Sequence, residues 1–63
     1  MKLSIGERVK YKMNYNGIVD DYDAVVVDNI DCVRLFVYLP DGVKHDTTLI
    51  KEQLKYITKG EKR

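Results

Sequence analysis

One histidine, one cysteine and a run of aspartates are the side chains of this 63-residue chain with the most chemical reach. A Cys-His couple needs thiol and imidazole within hydrogen-bond distance. Cys32 and His45 fall on the outgoing and returning arms of one hairpin at unequal distances from its turn, so the strands do not bring them face to face. The expectation is a buried, inert thiol and a surface histidine. Asp20, Asp21 and Asp23 offer hard oxygen ligands, but DDYDAVVVD lacks the glycine-centred loop spacing of a calcium hand and reads as a solvated acidic face. A lone cysteine permits neither an intrachain disulfide nor a multi-cysteine zinc site. No catalytic residue, metal ligand or cofactor motif emerges, and the expectation is a non-enzymatic binding protein without a cofactor.

Two constellations suit binding. Asp20, Asp21, Tyr22 and Asp23 surround an aromatic ring with negative charge in a segment read as a loop, and Phe36 and Tyr38 add aromatic surface nearby in sequence. Buried aromatic anchors dominate many protein interfaces. Arg8, Lys10 and Lys12 alternate with apolar residues and form a basic stripe that could follow a phosphate backbone. The same stripe also serves to solubilise an edge strand and block edge pairing. The near-balanced charge of the chain, +1, falls short of the strongly basic footprint of a nucleic-acid domain. Protein binding through the acidic segment is therefore the first reading, and nucleic-acid binding through the basic stripe the alternative.

The elements that must position these residues are short strands. In GERVKYKM, Val9, Tyr11 and Met13 alternate with Arg8, Lys10 and Lys12, the pattern of a half-buried strand. Ser4 and Glu7 match the spacing of a helix capping box, but the period-two alternation after them contradicts a helix. Asn16-Gly17 favours a tight turn. Beyond it the chain reads either as a second strand or as a long excursion before AVVVD, with a strand interrupted or bulged at the aspartates preferred. CVRLFVYL is apolar on both faces, as expected of a central strand. In YLPDG, Pro40 and Asp41 suit the central positions of a turn and Gly42 the left-handed conformation of a bulged hairpin loop. Val43 to Leu49 is the return strand. LIKEQLKYI allows one helical turn before a short last strand. Tyr11 and Tyr56 read as core residues.

Residues 1–6 are thus expected as a lead-in, 7–57 as one all-β domain, and 58–63 as a flexible basic tail. At this size the core supplies roughly 3–5 kcal/mol of net stability, so tight closure or a partner is needed. Residues 1–13 and 51–63 each carry +3, while Asp20, Asp21, Asp23, Asp28 and Asp31 form an acidic run, which suggests opposed charged surfaces that steer a partner. Apolar residues on both faces of the central strand, Cys32, Phe36 and Tyr38 among them, point to a partner site or a weak homodimer. The absence of a long apolar run or a signal-like amino end makes a membrane role unexpected and the cytoplasm the expected compartment.

IGERVKY, NGIV, VRLFVYLPDG and LIKEQLKYI together resemble the SH3-like barrels, in particular those of Tudor and KOW type. The resemblance implies a small five-stranded barrel with one short helical turn before the last strand. It also implies one of the group's binding roles: proline-rich peptides, methylated side chains, nucleic acids or other proteins. Many small phage and bacterial proteins share this shape, and an accessory protein of a phage or mobile element that modulates a host protein is the role it suggests. A proline-rich ligand needs an aromatic groove usually walled by tryptophan, and this chain has none. An aromatic cage for a methylated cation has rings to draw on, but tyrosines in strands more often pack across strands.

Overall fold

The structure, a computed structural model, describes residues 3–59. Five strands, β1 (Arg8–Tyr15), β2 (Ile18–Asp28), β3 (Val33–Tyr38), β4 (Lys44–Leu49) and β5 (Ile57–Lys59), form one antiparallel sheet in the order β4-β3-β2-β1-β5. A 3₁₀ helix, Lys51–Tyr56, precedes β5. The domain is all-β, as the alternation and turn chemistry require.

Both hairpins close as their turn residues dictate. Asn16 and Gly17 have φ of 56° and 83°, the paired positive values of a type I′ turn, whose twist matches that of the flanking strands. The Asn14 side chain fixes this turn by accepting the Gly17 N–H at 3.0 Å. At Pro40–Gly42 the Leu39 N–H donates to the Val43 carbonyl at 3.0 Å and the Gly42 N–H to the Leu39 carbonyl at 2.9 Å. Gly42 takes φ of 87°, the left-handed value a three-residue hairpin loop needs. The Ser4/Glu7 spacing forms a turn and no helix: Glu7 N–H donates to the Ser4 carbonyl while the Glu7 carboxylate accepts the Ser4 N–H.

Alternation sets which side chains meet. Val9, Tyr11, Tyr22, Ala24, Val26, Leu35, Val37, Leu49 and Ile57 all project to one side and share a core with Leu3 and Leu39. Leu49 lies on one edge strand and Ile57 on the other, so the sheet must curl round its own inner face. It does not close, however, into the expected barrel. β5 has three residues, all paired with β1, and β4 has β3 as its one sheet neighbour, so the 3₁₀ helix spans the gap between the two edges. That helix is entered through reciprocal bonds: Gln53 N–H to the Ile50 carbonyl at 2.9 Å and Ile50 N–H to the Gln53 side-chain oxygen at 3.0 Å.

Several expectations are corrected. The acidic segment is neither loop nor interrupted strand, because Asp20, Asp21 and Asp23 pair in unbroken register with Met13, Lys12 and Lys10. The irregularity lies further on, between Val26 and Asp28. Tyr56 is 39% exposed instead of core, whereas Tyr11 is buried. Cys32 is exposed, being the last residue of the connection before β3 begins at Val33. Within the expected lead-in, Leu3 belongs to the core and the Gly6 N–H bonds to the Val26 carbonyl at 2.7 Å. Of the expected tail, Thr58 and Lys59 belong to β5 and the remainder lies outside the described residues.

Candidate functional site

The outer face of the sheet collects most of the residues named for binding, but in a different grouping from the one their sequence order suggests. Because Lys10 pairs with Asp23 and Lys12 with Asp21 across β1 and β2, the basic stripe and the acidic run lie side by side on one face. Lys10 Nζ is 2.7 Å from an Asp23 oxygen and Lys12 Nζ 3.6 Å from an Asp21 oxygen. Opposed charged surfaces are thereby corrected to an interleaved one. Each ion pair is half-exposed and contributes on the order of 0–1 kcal/mol to stability, but together they leave little unbalanced charge to attract a polyanion.

Tyr22 and Asp20 point the other way. Tyr22 is 9% exposed, directly across from Tyr11 on the inner face, and its ring meets that of Tyr15 edge-on with centroids 6.4 Å apart. A protruding acidic loop with Tyr22 at its head does not exist. The parity of Tyr22 with Ala24 and Val26 is the signal in the sequence that places it inside. Asp20 shares that parity beyond the end of the core and is exposed.

The outer faces of β3 and β4 are different in kind. Phe36 is half-buried, flanked by Val25 on β2 and Asp46 on β4, and the Lys44 ammonium sits 5.3 Å from the centre of its ring. Arg34 reaches Asp46 with its terminal nitrogen at 2.9 Å, a bond that raises the guanidinium's proton affinity further. Tyr38 is 45% exposed and its side chain has no ring or hydrogen-bond partner among the described residues. It borders an open depression of about 470 Å³ whose other lining residues are Arg8, Asp23 and Ala24. The pairing of Ala24 with Val37 and of Val25 with Arg8 explains the gathering, since Asp23 and Tyr38 are each one step beyond the first pair. Sequence reading places Arg8 with the basic stripe and Tyr38 with the acidic segment; the sheet puts both on one hollow. Nothing local in the sequence announces this, because it depends on the registers of two strand pairs.

The open end of the curled sheet is tied by a contact between the two hairpins. The Tyr15 hydroxyl donates to an Asp41 carboxylate oxygen at 2.5 Å. That bond, followed by the Val43 N–H, holds Asp41 below its ordinary carboxylate range, and the same carboxylate pushes the Tyr15 phenol up. At the other end the Glu7 carboxylate is lowered first by the Ser4 N–H and then by Lys59, 3.2 Å away. Burial, and secondarily Tyr56, raises the Tyr11 phenol.

His45 opposes Val37 in the β3–β4 register, and Cys32 lies before β3 begins, so the two are not brought together. Among the described residues no three His, Cys, Asp or Glu side chains converge as metal ligands. No helix among them is long and apolar enough to cross a membrane. Comparison with protein-family models, with curated proteins and with solved structures finds no match to this chain.

Proposed function

We propose that this chain is a non-catalytic protein-binding module, built as a small SH3-like domain of Tudor or KOW type and acting as an accessory protein of the kind phages and mobile elements carry. Its contact face is the outer side of the sheet, where Tyr38, Arg8 and Asp23 border the hollow and Phe36 lies on the same face of β3. The single observation that carries this reading is the exposed ring of Tyr38 beside a cation and an anion. An amphipathic ring with charges of both signs at its rim is the composition of a protein-binding hot spot. The partner segment it suits supplies an apolar group to the ring and an anionic group to Arg8, Asp23 being already paired with Lys10. The strand order β4-β3-β2-β1-β5 and the 3₁₀ helix before β5 support the SH3-like part of the reading.

The alternative, nucleic-acid binding through Arg8, Lys10 and Lys12, is disfavoured by the pairing of Lys10 and Lys12 with Asp23 and Asp21. One experiment separates the two. Affinity capture from host lysate is run with wild type, Tyr38→Ala and Lys51→Ala, each first shown to be folded. Loss of a specific protein band in Tyr38→Ala alone is the expected outcome. A steep loss of binding to mixed-sequence DNA or RNA with added salt, abolished by Glu at positions 8, 10 and 12, is the outcome that would replace it.

A further inference from the structure

We propose that β4 is a self-association edge, pairing antiparallel with β4 of a second copy of this chain in the register that sets His45 opposite the partner's His45. The argument begins with bond direction. The Leu39 N–H to Val43 carbonyl bond fixes the phase of the β3–β4 ladder, in which bonded and non-bonded pairs alternate. His45, Thr47 and Leu49 therefore bond inward to β3. Lys44, Asp46 and Thr48 turn their N–H and carbonyl groups outward along an edge that no described strand covers.

Edge strands in soluble proteins are blunted by brevity, proline, bulges or charge. β5 is blunted by its length of three residues. β4 is six residues long, contains no proline, and runs in unbroken register with β3. Its charges are the one device present, and they are self-complementary. Lys44 and Asp46 both project from the outer face and are exposed. With a two-fold axis at His45, Lys44 falls opposite the partner's Asp46 and Asp46 opposite the partner's Lys44, each pair exchanging both backbone bonds. Moving the axis to Asp46 sets two aspartates against each other, and moving it to Thr47 leaves neither charge with an opposite. Arg34, already bound to Asp46, would extend each pair into a row of three charges.

In this register the outer faces of the two copies are continuous. Both Tyr38 hollows lie on the same side, so the dimer presents two copies of the proposed contact site without covering either. The inference stands independently of that site's function.

The register is tested by crosslinking. Directly opposed residues at a non-bonded antiparallel position have Cα atoms about 4.5 Å apart, within the range a disulfide spans. In a Cys32→Ser background, His45→Cys should form an intermolecular disulfide under mild oxidation, and Asp46→Cys should not. Sedimentation equilibrium up to about 1 mM should show a monomer–dimer equilibrium. Lys44→Glu and Asp46→Lys should each weaken it about tenfold, equivalent to about 1.4 kcal/mol, and the double exchange should restore it. A monomer at every concentration overturns the proposal, as does crosslinking through Asp46→Cys in place of His45→Cys. Failure of the double exchange to recover affinity, with its fold shown intact by circular dichroism, overturns the charge register.

Discussion

The β1–β2 and β3–β4 hairpins differ in their turns, a two-residue loop against a three-residue one, and use their outer faces differently. In β1–β2, Lys10 and Lys12 face Asp23 and Asp21, so each charge is answered by a neighbour in the same hairpin. In β3–β4, Phe36 and Tyr38 interrupt the charges and Tyr38 is left with its ring to solvent. Their inner faces also differ. Leu35, Val37 and Leu49 are almost wholly buried, whereas the far half of β1–β2 runs past the core and ends with Ile18 and Val19 about 60% exposed (62% and 61%). Both hairpins contribute to the deep core, Val26 and Ala24 from the first and Leu35, Val37 and Leu49 from the second; on the outer face the first is charge-paired at Lys10, Lys12, Asp21 and Asp23, and the second leaves the Tyr38 ring exposed. Composition alone would have ranked the first as the binding element because it holds more charge. Availability, which register decides, favours Tyr38 of the second as the centre of the proposed contact face, with Arg8 added from the first.

The largest effect that could break this contrast is a core truncation. Leu35→Ala removes a side chain with no exposed surface and should cost about 2–5 kcal/mol, comparable to the whole stability of a domain this size. Ile18→Ser at the tip of the other hairpin should fall within about 0.5 kcal/mol of wild type. Urea unfolding of both variants checks the pair, and equal losses would show that the tip is packed.

Next come the turns. Gly17 and Gly42 have φ of 83° and 87° with open space where a Cβ would sit, so alanine costs backbone strain and no clash. Each replacement should lose about 1–2 kcal/mol. A loss at Gly17 far below that at Gly42 would mean that the first turn changes type when strained, which nuclear Overhauser contacts across Tyr15 and Ile18 would reveal.

A smaller effect concerns the tie between the hairpins. Because the Asp41 carboxyl is held below its ordinary value in the folded state, its contribution is present above that value and lost as pH falls through the folded one. The Tyr15 phenol is raised, so its contribution is full below the ordinary tyrosine range and lost as pH climbs through the folded value. Tyr15→Phe should therefore reduce the stability change at both extremes, leaving at the acid end the Val43 N–H contribution to Asp41 and the Glu7 contribution of the same sign, and at the alkaline end that of Tyr11. Denaturation midpoints at about pH 7 and about pH 3 measure it; identical acid losses in wild type and variant would remove the tie from the picture.

The smallest effect is expected at the paired lysines. Lys10→Ala and Lys12→Ala should shift stability by no more than about 0.5 kcal/mol each, and less at high salt. Thermal melts at low and high ionic strength read this directly.

Much of the fold was legible because local chemistry dictates it. Asn16-Gly17 and Pro40-Asp41-Gly42 specify their turns, and the alternation from Arg8 to Met13 and from Val33 to Leu39 specifies strands and their inner residues. Two features were not. Closure depends on how far the last strand extends, and three residues from Ile57 do not reveal that they reach β1 only. The aspartates at 20, 21 and 23 obscured the alternation of Tyr22, Ala24 and Val26, so a strand looked like a loop and a core tyrosine like an anchor. Tyr38, Phe36 and Asp23 were identifiable by type as candidates for contact. Their association with Arg8, and the cancellation of Lys10 and Lys12, required the registers of β1 with β2 and of β2 with β3.

The location of the contact face can be measured outright by titrating isotope-labelled protein with the captured partner and following backbone amide shifts. The expected pattern is a cluster at Arg8, Asp23, Phe36 and Tyr38, with the distal half of the first hairpin unmoved. Shifts confined to Lys10, Lys12, Asp20 and Asp21, with Tyr38 unchanged, would contradict the assignment and return the binding role to the charged hairpin.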